Sequence, residues 1–123
     1  MRGFFSGQAA TLLLDSGASG QGFIDPAFAA RCGLELLSSD RSIKLANGTI
    51  VPAAGQVAAD YALAAASGAA IPLKSTFTAT PLEGYDAILG MSWLTEHDPV
   101  IGWKNRSITI RPADGPARHI KPL

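Results

Sequence analysis

Apolar positions in this chain fall into short runs separated by turn-forming residues, a pattern of strands rather than of long helices. Ala10 to Leu14 is apolar, of strand length, and ends on Asp15. Ser16-Gly17-Ala18-Ser19-Gly20-Gln21-Gly22 then carries no large side chain until Phe23-Ile24. A short helix is predicted next, because Asp25 suits the N-cap, Pro26 the first helical position, and Gly33 the exit after Phe28, Ala29 and Cys32. Ser42 to Ala46 and Thr49 to Pro52 flank Asn47-Gly48, the strongest short hairpin signal, which predicts a β-hairpin with a projecting, mobile tip. Between Gln56 and Ala70 the alanines have helix propensity, yet Val57, Ala59, Tyr61 and Leu63 alternate against Asp60, which favours a strand. Ser67-Gly68 turns the chain, and Ile71 to Thr80 returns as a second strand with Leu73, Ser75 and Phe77 opposite Lys74 and Thr76. Tyr85 to Gly90 reads as a buried strand ending in glycine, Met91 to His97 as a short helix stopped before Asp98-Pro99, and Val100 to Trp103 with Ser107 to Ile110 as a final hairpin. Residues 1–111 form one predicted domain, and 112–123, with Pro112, Gly115, Pro116 and Pro122, a loosely ordered tail. Trp93 and Trp103 read as core, and His97 as structural at a helix end.

Composition narrows the function classes. At 123 residues the chain has room for one modest core. Ten Lys+Arg balance ten Asp+Glu, so no electrostatic footprint for nucleic acid or an anionic membrane is present. No apolar run approaches the roughly 20 residues that span a bilayer, and the segment after Met1 turns polar too soon for a secretory signal. A soluble, cytoplasmic or particle-enclosed protein is expected. The single cysteine, Cys32, requires no oxidising compartment and reads as a small buried hydrophobe.

The chemistry concentrates at Asp15. A turn closing a strand accounts for Asp-Ser-Gly by itself. Leu12-Leu13-Leu14, however, brings the carboxylate out of a buried strand, where an unpartnered acid is costly, and Ser16, Gly17 and Ala18 leave space for another backbone to approach. A phosphate loop is excluded by the missing Lys-Ser/Thr ending and by the acid itself. Asp15, Asp25 and the late histidines show no metal-ligand spacing, so no metal or cofactor is expected.

Several separated segments together resemble the retropepsin-like aspartic proteases, most closely the protease segment of gypsy-type retrotransposon polyproteins. Leu12 to Ser19 matches the catalytic loop, Phe23-Ile24-Asp25-Pro26 to Leu34 the segment after it, and Leu45-Ala46-Asn47-Gly48 the tip of the flap. Tyr85 to Leu94 matches the element of two apolar residues and a glycine with the helix beyond it, and Ile101-Gly102-Trp103 to Ile110 the closing strands. The resemblance implies an all-β fold, a small closed sheet or barrel with a flap hairpin and one or two short helices, acting as an obligate homodimer. It also implies an aspartic endopeptidase in which two aspartates share a proton, one activating water and the other protonating the peptide carbonyl. Neither Asp86 nor Asp114 repeats the Asp-Ser-Gly motif, so two copies of the chain must each donate Asp15.

By matching position, Ser16 is expected to hydrogen-bond across the dimer and Gly17 to present backbone to substrate. Ala18, Ser19 and Ile88 are expected to line the cleft, with Ala46, Asn47, Gly48, Thr49 and Ile50 closing over it. Phe4-Phe5 and Ser107 to Ile110 are candidate interface strands. Ser19 and Met91 stand where retroviral enzymes place an acid and an arginine, in keeping with the gypsy-type pattern. The implied partners are a second copy and a peptide or polyprotein substrate, with polyprotein maturation as the role. Two other readings stay open: a cellular protease domain of a ubiquitin-linked protein, and a domesticated, silent dimerisation or peptide-binding module.

Overall fold

The computed structural model of the chain describes residues 1–39, 41–44, 47–111 and 116–120. In chain order the elements are β1 (Arg2–Phe5), β2 (Gln8–Leu14), β3 (Gly22–Ile24), α1 (Pro26–Arg31), β4 (Ser42–Lys44), β5 (Ile50–Pro52), β6 (Gly55–Ala64), β7 (Ala70–Ala79), β8 (Ala87–Leu89), α2 (Met91–His97), β9 (Val100–Gly102), β10 (Ser107–Ile110) and β11 (Arg118–Ile120). Six strands close a barrel in the order β1-β2-β8-β3-β7-β6; β4 and β5 form a separate hairpin, and β9, β10 and β11 a small sheet. This is the all-β architecture with a flap hairpin and two short helices that the sequence implies.

The long β6/β7 hairpin pairs Gly55↔Ala79 through Ala64↔Ala70. Val57, Ala59, Tyr61 and Leu63 are buried while Ala58 and Asp60 are exposed, so alternation prevails over the helix propensity of the alanines. Burial of every second side chain together with a paired backbone outweighs an intrinsic preference of tenths of a kcal/mol per residue. Phe5, Phe28, Tyr61 and Phe77 meet at the centre: Phe5 stacks on Tyr61 with centroids 5.0 Å apart and meets Phe28 edge-on at 5.6 Å. The Tyr61 hydroxyl shares a 2.8 Å hydrogen bond with Ser75. Burial pushes its pKa up to about 12 despite that bond.

α1 begins as its sequence predicts, with the Asp25 side chain accepting from the Phe28 N–H at 3.2 Å and Pro26 at the first position. α2 ends on Asp98 in the left-handed conformation, just before Pro99. Trp93 packs its fully buried indole under the barrel, with the His97 ring 4.6 Å away.

Three expectations are corrected. Phe5 is fully buried inside its own protomer, and β1 is paired on both sides, with β2 and β6, so it offers no free edge to a second chain. Trp103 is 83% exposed, because it lies beyond β9 in the turn leading to β10 rather than on an inward face. The tail is not loose throughout: Arg118–Ile120 pairs with β10, Ile120 is buried, and the Ala66 N–H donates to the His119 carbonyl at 2.8 Å. Ile120 supplies an apolar contact and β10 an open edge, which together order Arg118–Ile120. β1 and β3 each carry a glycine at a buried position.

Candidate active site

β2 and β8 run parallel, pairing Leu12↔Ala87, Leu13↔Ile88 and Leu14↔Leu89, so Asp15 and Gly90 leave the sheet side by side. The Asp15 N–H donates to the Leu89 carbonyl at 3.0 Å, continuing the ladder by one bond. Its carbonyl accepts from the Ala18 N–H at 3.1 Å, closing a tight turn. Inside that turn the Gly17 N–H donates to Asp15 Oδ1 at 2.8 Å, which aims the carboxylate. A charge-assisted bond of this kind holds an anion more firmly than a neutral pair would.

Three further backbone bonds strap the loop to the start of α2. Met91 N–H donates to the Ala18 carbonyl (2.8 Å), Ser92 N–H to Gly20 (2.9 Å) and Gly90 N–H to Gln21 (3.0 Å). Carbonyls of the loop crowd Gly90 so closely that a Cβ there would stand 2.7 Å from the Gly20 oxygen and 2.8 Å from that of Ala18. The glycine after Ile88-Leu89 is therefore a condition for seating the Asp15 loop.

The carboxylate opens on a cleft of about 740 Å³. Asp15, Gly17, Ala18, Ser19 and Ile88 line it as the sequence implies; Phe23, Arg41–Lys44, Thr78 and Thr80–Leu82 complete the walls. Asp15 is the only acid among the described residues that line this cleft. The neighbouring acids are engaged elsewhere. Asp25 accepts from the Phe28 and Leu82 N–H groups, and Asp86 accepts from the Thr11 N–H at 2.8 Å with Arg31 3.8 Å away. Among the described residues no three His, Cys, Asp or Glu side chains gather into a metal-binding group. Cys32 is buried, which pushes its thiol pKa up and away from nucleophilic use.

The PEG10/RTL1 protease domain family matches residues 11–114, a span holding the Asp15 loop, the β4/β5 hairpin, Ile88-Leu89-Gly90 and the β9/β10 hairpin. The chain belongs to this family. It is a retropepsin-like, retrotransposon-derived protease domain. Among solved structures it is similar to the retroviral protease-like domain of Ddi1 from Leishmania major, with 23% identity over 98% of this chain and 90% of that one, and a TM-score of 0.65. At that identity the likeness is one of fold. No curated protein matches.

In this retropepsin-like frame the β4/β5 hairpin occupies the place of the flap. Asn47, Gly48, Thr49 and Ile50 are exposed around its tip and do not line the cleft in this structure; Ala46 lies outside the described residues. Ser16 faces away from the cleft, into a separate apolar groove of about 290 Å³ with Leu14, Leu94, Ile101, Trp103 and Ile108. Phe23, Arg41, Thr78 and Leu82 are cleft residues that sequence reasoning missed. Arg41 alone carried a signal, since it directly precedes a predicted hairpin strand; the others arrive by barrel closure.

Gly48 has φ 86°, and Asn47 Oδ1 accepts from the Thr49 N–H at 2.9 Å across the turn. Gly48→Val incurs about 1–2 kcal/mol in that left-handed position, enough to depopulate the native tip about tenfold. Turnover of a peptide should fall by a similar factor with the fold unchanged by circular dichroism. Unaltered kinetics would show that this hairpin does not close on substrate.

Proposed function

We propose that this chain is an aspartic endopeptidase that works as a twofold homodimer, with Asp15 of each copy forming the dyad. The observation that carries the reading is a lone carboxylate, aimed by the Gly17 N–H, at the floor of a cleft large enough for an extended peptide. In the reaction the water oxygen attacks the peptide carbonyl carbon as its proton passes to the ionised aspartate. The protonated aspartate gives its proton to the carbonyl oxygen. The gem-diol then collapses, the C–N bond breaks, and the amine leaves with a proton from the dyad. No covalent enzyme intermediate is needed.

Geometry favours a second copy as the source of the other acid. The largely apolar groove at Ser16 adjoins the Asp15 turn and is lined by exposed Trp103 together with Leu14, Leu94, Ile101, Ile108 and one cation, Arg106. An apolar patch beside the site is a surface that a twofold interface can bury. The substrate role we propose is maturation of a retroelement polyprotein, in keeping with the family match; the same dyad would equally serve a cellular protease domain.

Cleavage of a diverse peptide library, read by mass spectrometry, tests the activity. The dimer is tested by concentration: below the dissociation constant the rate should rise with the square of protein concentration. Mixing wild-type chains with excess Asp15→Asn chains should then depress activity beyond simple dilution. Activity that tracks wild-type concentration alone, with exchange proven, would mean that one Asp15 suffices.

A further inference from the structure

The cleft carries an uneven charge that the hydrolytic chemistry does not use. Its described walls hold two cations, Arg41 and Lys44, and one acid, Asp15, in a chain whose formal net charge is zero. Both cations stand on the hairpin side. Arg41 is held at the base of that hairpin, its carbonyl accepting from the Ala53 N–H at 2.9 Å and its own N–H donating to Ser39 Oγ at 3.1 Å. From there its guanidinium reaches across to β7, where Nη1 lies 3.5 Å from Thr78 Oγ1. This is the one side-chain hydrogen bond that Arg41 makes among the described residues, and it is a long one. A guanidinium offers five N–H donors in a planar fork suited to a carboxylate, and among the described residues only one of them has a partner.

Resting on the protease reading above, we propose that Arg41 and Lys44 form a subsite for an acidic side chain of the substrate, repeated by the twofold axis, making this an endopeptidase that prefers glutamate or aspartate at positions flanking the scissile bond. Asp15 repels a carboxylate placed directly at the reacting peptide. The acidic residue therefore belongs at a flanking position, and an extended peptide, rising about 3.3 Å per residue with alternate side chains on one face, brings every second one to the same wall. Charge-assisted bonds to a partly exposed guanidinium support a preference of about tenfold for Glu over Gln, weakening as salt rises.

The test uses peptide pairs that differ only by Glu or Gln at one position, scanned across the cleavage site. Because the twofold axis repeats the two cations, a flanking position on each side of the scissile bond should show about a tenfold higher kcat/KM for Glu. The Glu/Gln ratio should drop to near one in Arg41→Gln with Lys44→Gln, be retained in part by Arg41→Lys, and invert toward Lys-bearing peptides in Arg41→Glu. Binding of the same pairs to the Asp15→Asn chain, followed by fluorescence anisotropy, reads the subsite without chemistry. Peptides that bind with a Glu preference but are not cleaved by the wild-type chain would sink the protease reading and leave the subsite standing. Equal rates and equal binding for every pair, or a ratio that survives loss of both cations, would overturn the subsite.

Discussion

Asp15→Asn should reduce peptide cleavage by roughly three orders of magnitude or more, with fold and dimer intact. A carboxamide neither ionises to take the proton of the attacking water nor delivers one to the carbonyl oxygen, so both halves of the proposed dyad lose their function together. The fold should persist for a local reason. Asp15 stands outside β2, and among the described residues its side chain makes one bond, accepting at Oδ1 from the Gly17 N–H, a bond that an asparagine oxygen can accept equally well. The measurement is kcat/KM on a cleaved peptide alongside size-exclusion chromatography and circular dichroism. Substantial turnover by a dimeric, folded Asp15→Asn protein would remove Asp15 from the chemistry.

Gly22→Ala should destabilise the domain by about 3–5 kcal/mol, near the upper end for a single substitution and comparable to the whole stability of a small domain. Gly22 has φ 140°, and a Cβ there would fall 1.8 Å from the Ile88 carbonyl oxygen and 2.9 Å from its carbon. Neither partner can give way cheaply. β3 lies between β7 and β8 in the closed barrel, and Gly22 is paired with Leu89, one residue from the glycine that seats the Asp15 loop. Gly20→Ala is the control: it also carries positive φ, 68°, but a Cβ would meet nothing within 4 Å. That variant should lose only the about 1–2 kcal/mol of backbone strain. Urea unfolding of both distinguishes the two costs, and equal midpoints would mean that the β3/β8 approach is not the limiting contact.

The residues that sequence reasoning misplaced share a physical cause. Gly22 reads as the end of a stretch of small residues, yet it and Gly3 are strand residues at which another chain segment comes too near for a side chain: a Cβ on Gly3 would stand 2.7 Å from the Ala62 oxygen. A pattern that scores apolar side chains is blind to a strand whose inward position is empty by necessity. Phe4-Phe5 is expected at an interface by resemblance, and its pairing between β2 and β6 instead puts Phe5 against Tyr61 and Phe28. Trp103 shows the converse, a large apolar residue taken for core that a turn carries out to solvent. Asp25 reads in the sequence as a helix cap and Asp86 as an acid that does not repeat the Asp-Ser-Gly motif; in the structure their carboxylates also accept from the Leu82 and Thr11 N–H groups and brace the barrel.

By itself the sequence determined the local elements whose signals lie within a few residues: the Asp25-capped helix, the Asn47-Gly48 hairpin, the alternation of β6, and the Asp15 turn that follows three leucines. Those depend on backbone preferences and on side-chain period, both written in consecutive residues. It also carried the family, because motifs in the right order identify a protease segment even where intervening strands are obscure. Tertiary structure alone decided what parallel pairing brings together. Leu14 and Leu89, separated by most of the chain, must sit side by side before Asp15 meets Gly90, and β7 must close against β3 before Thr78 and Arg41 join one cleft wall. Such contacts are set by barrel closure and by the space that glycines leave between backbones, quantities that no run of neighbouring residues encodes.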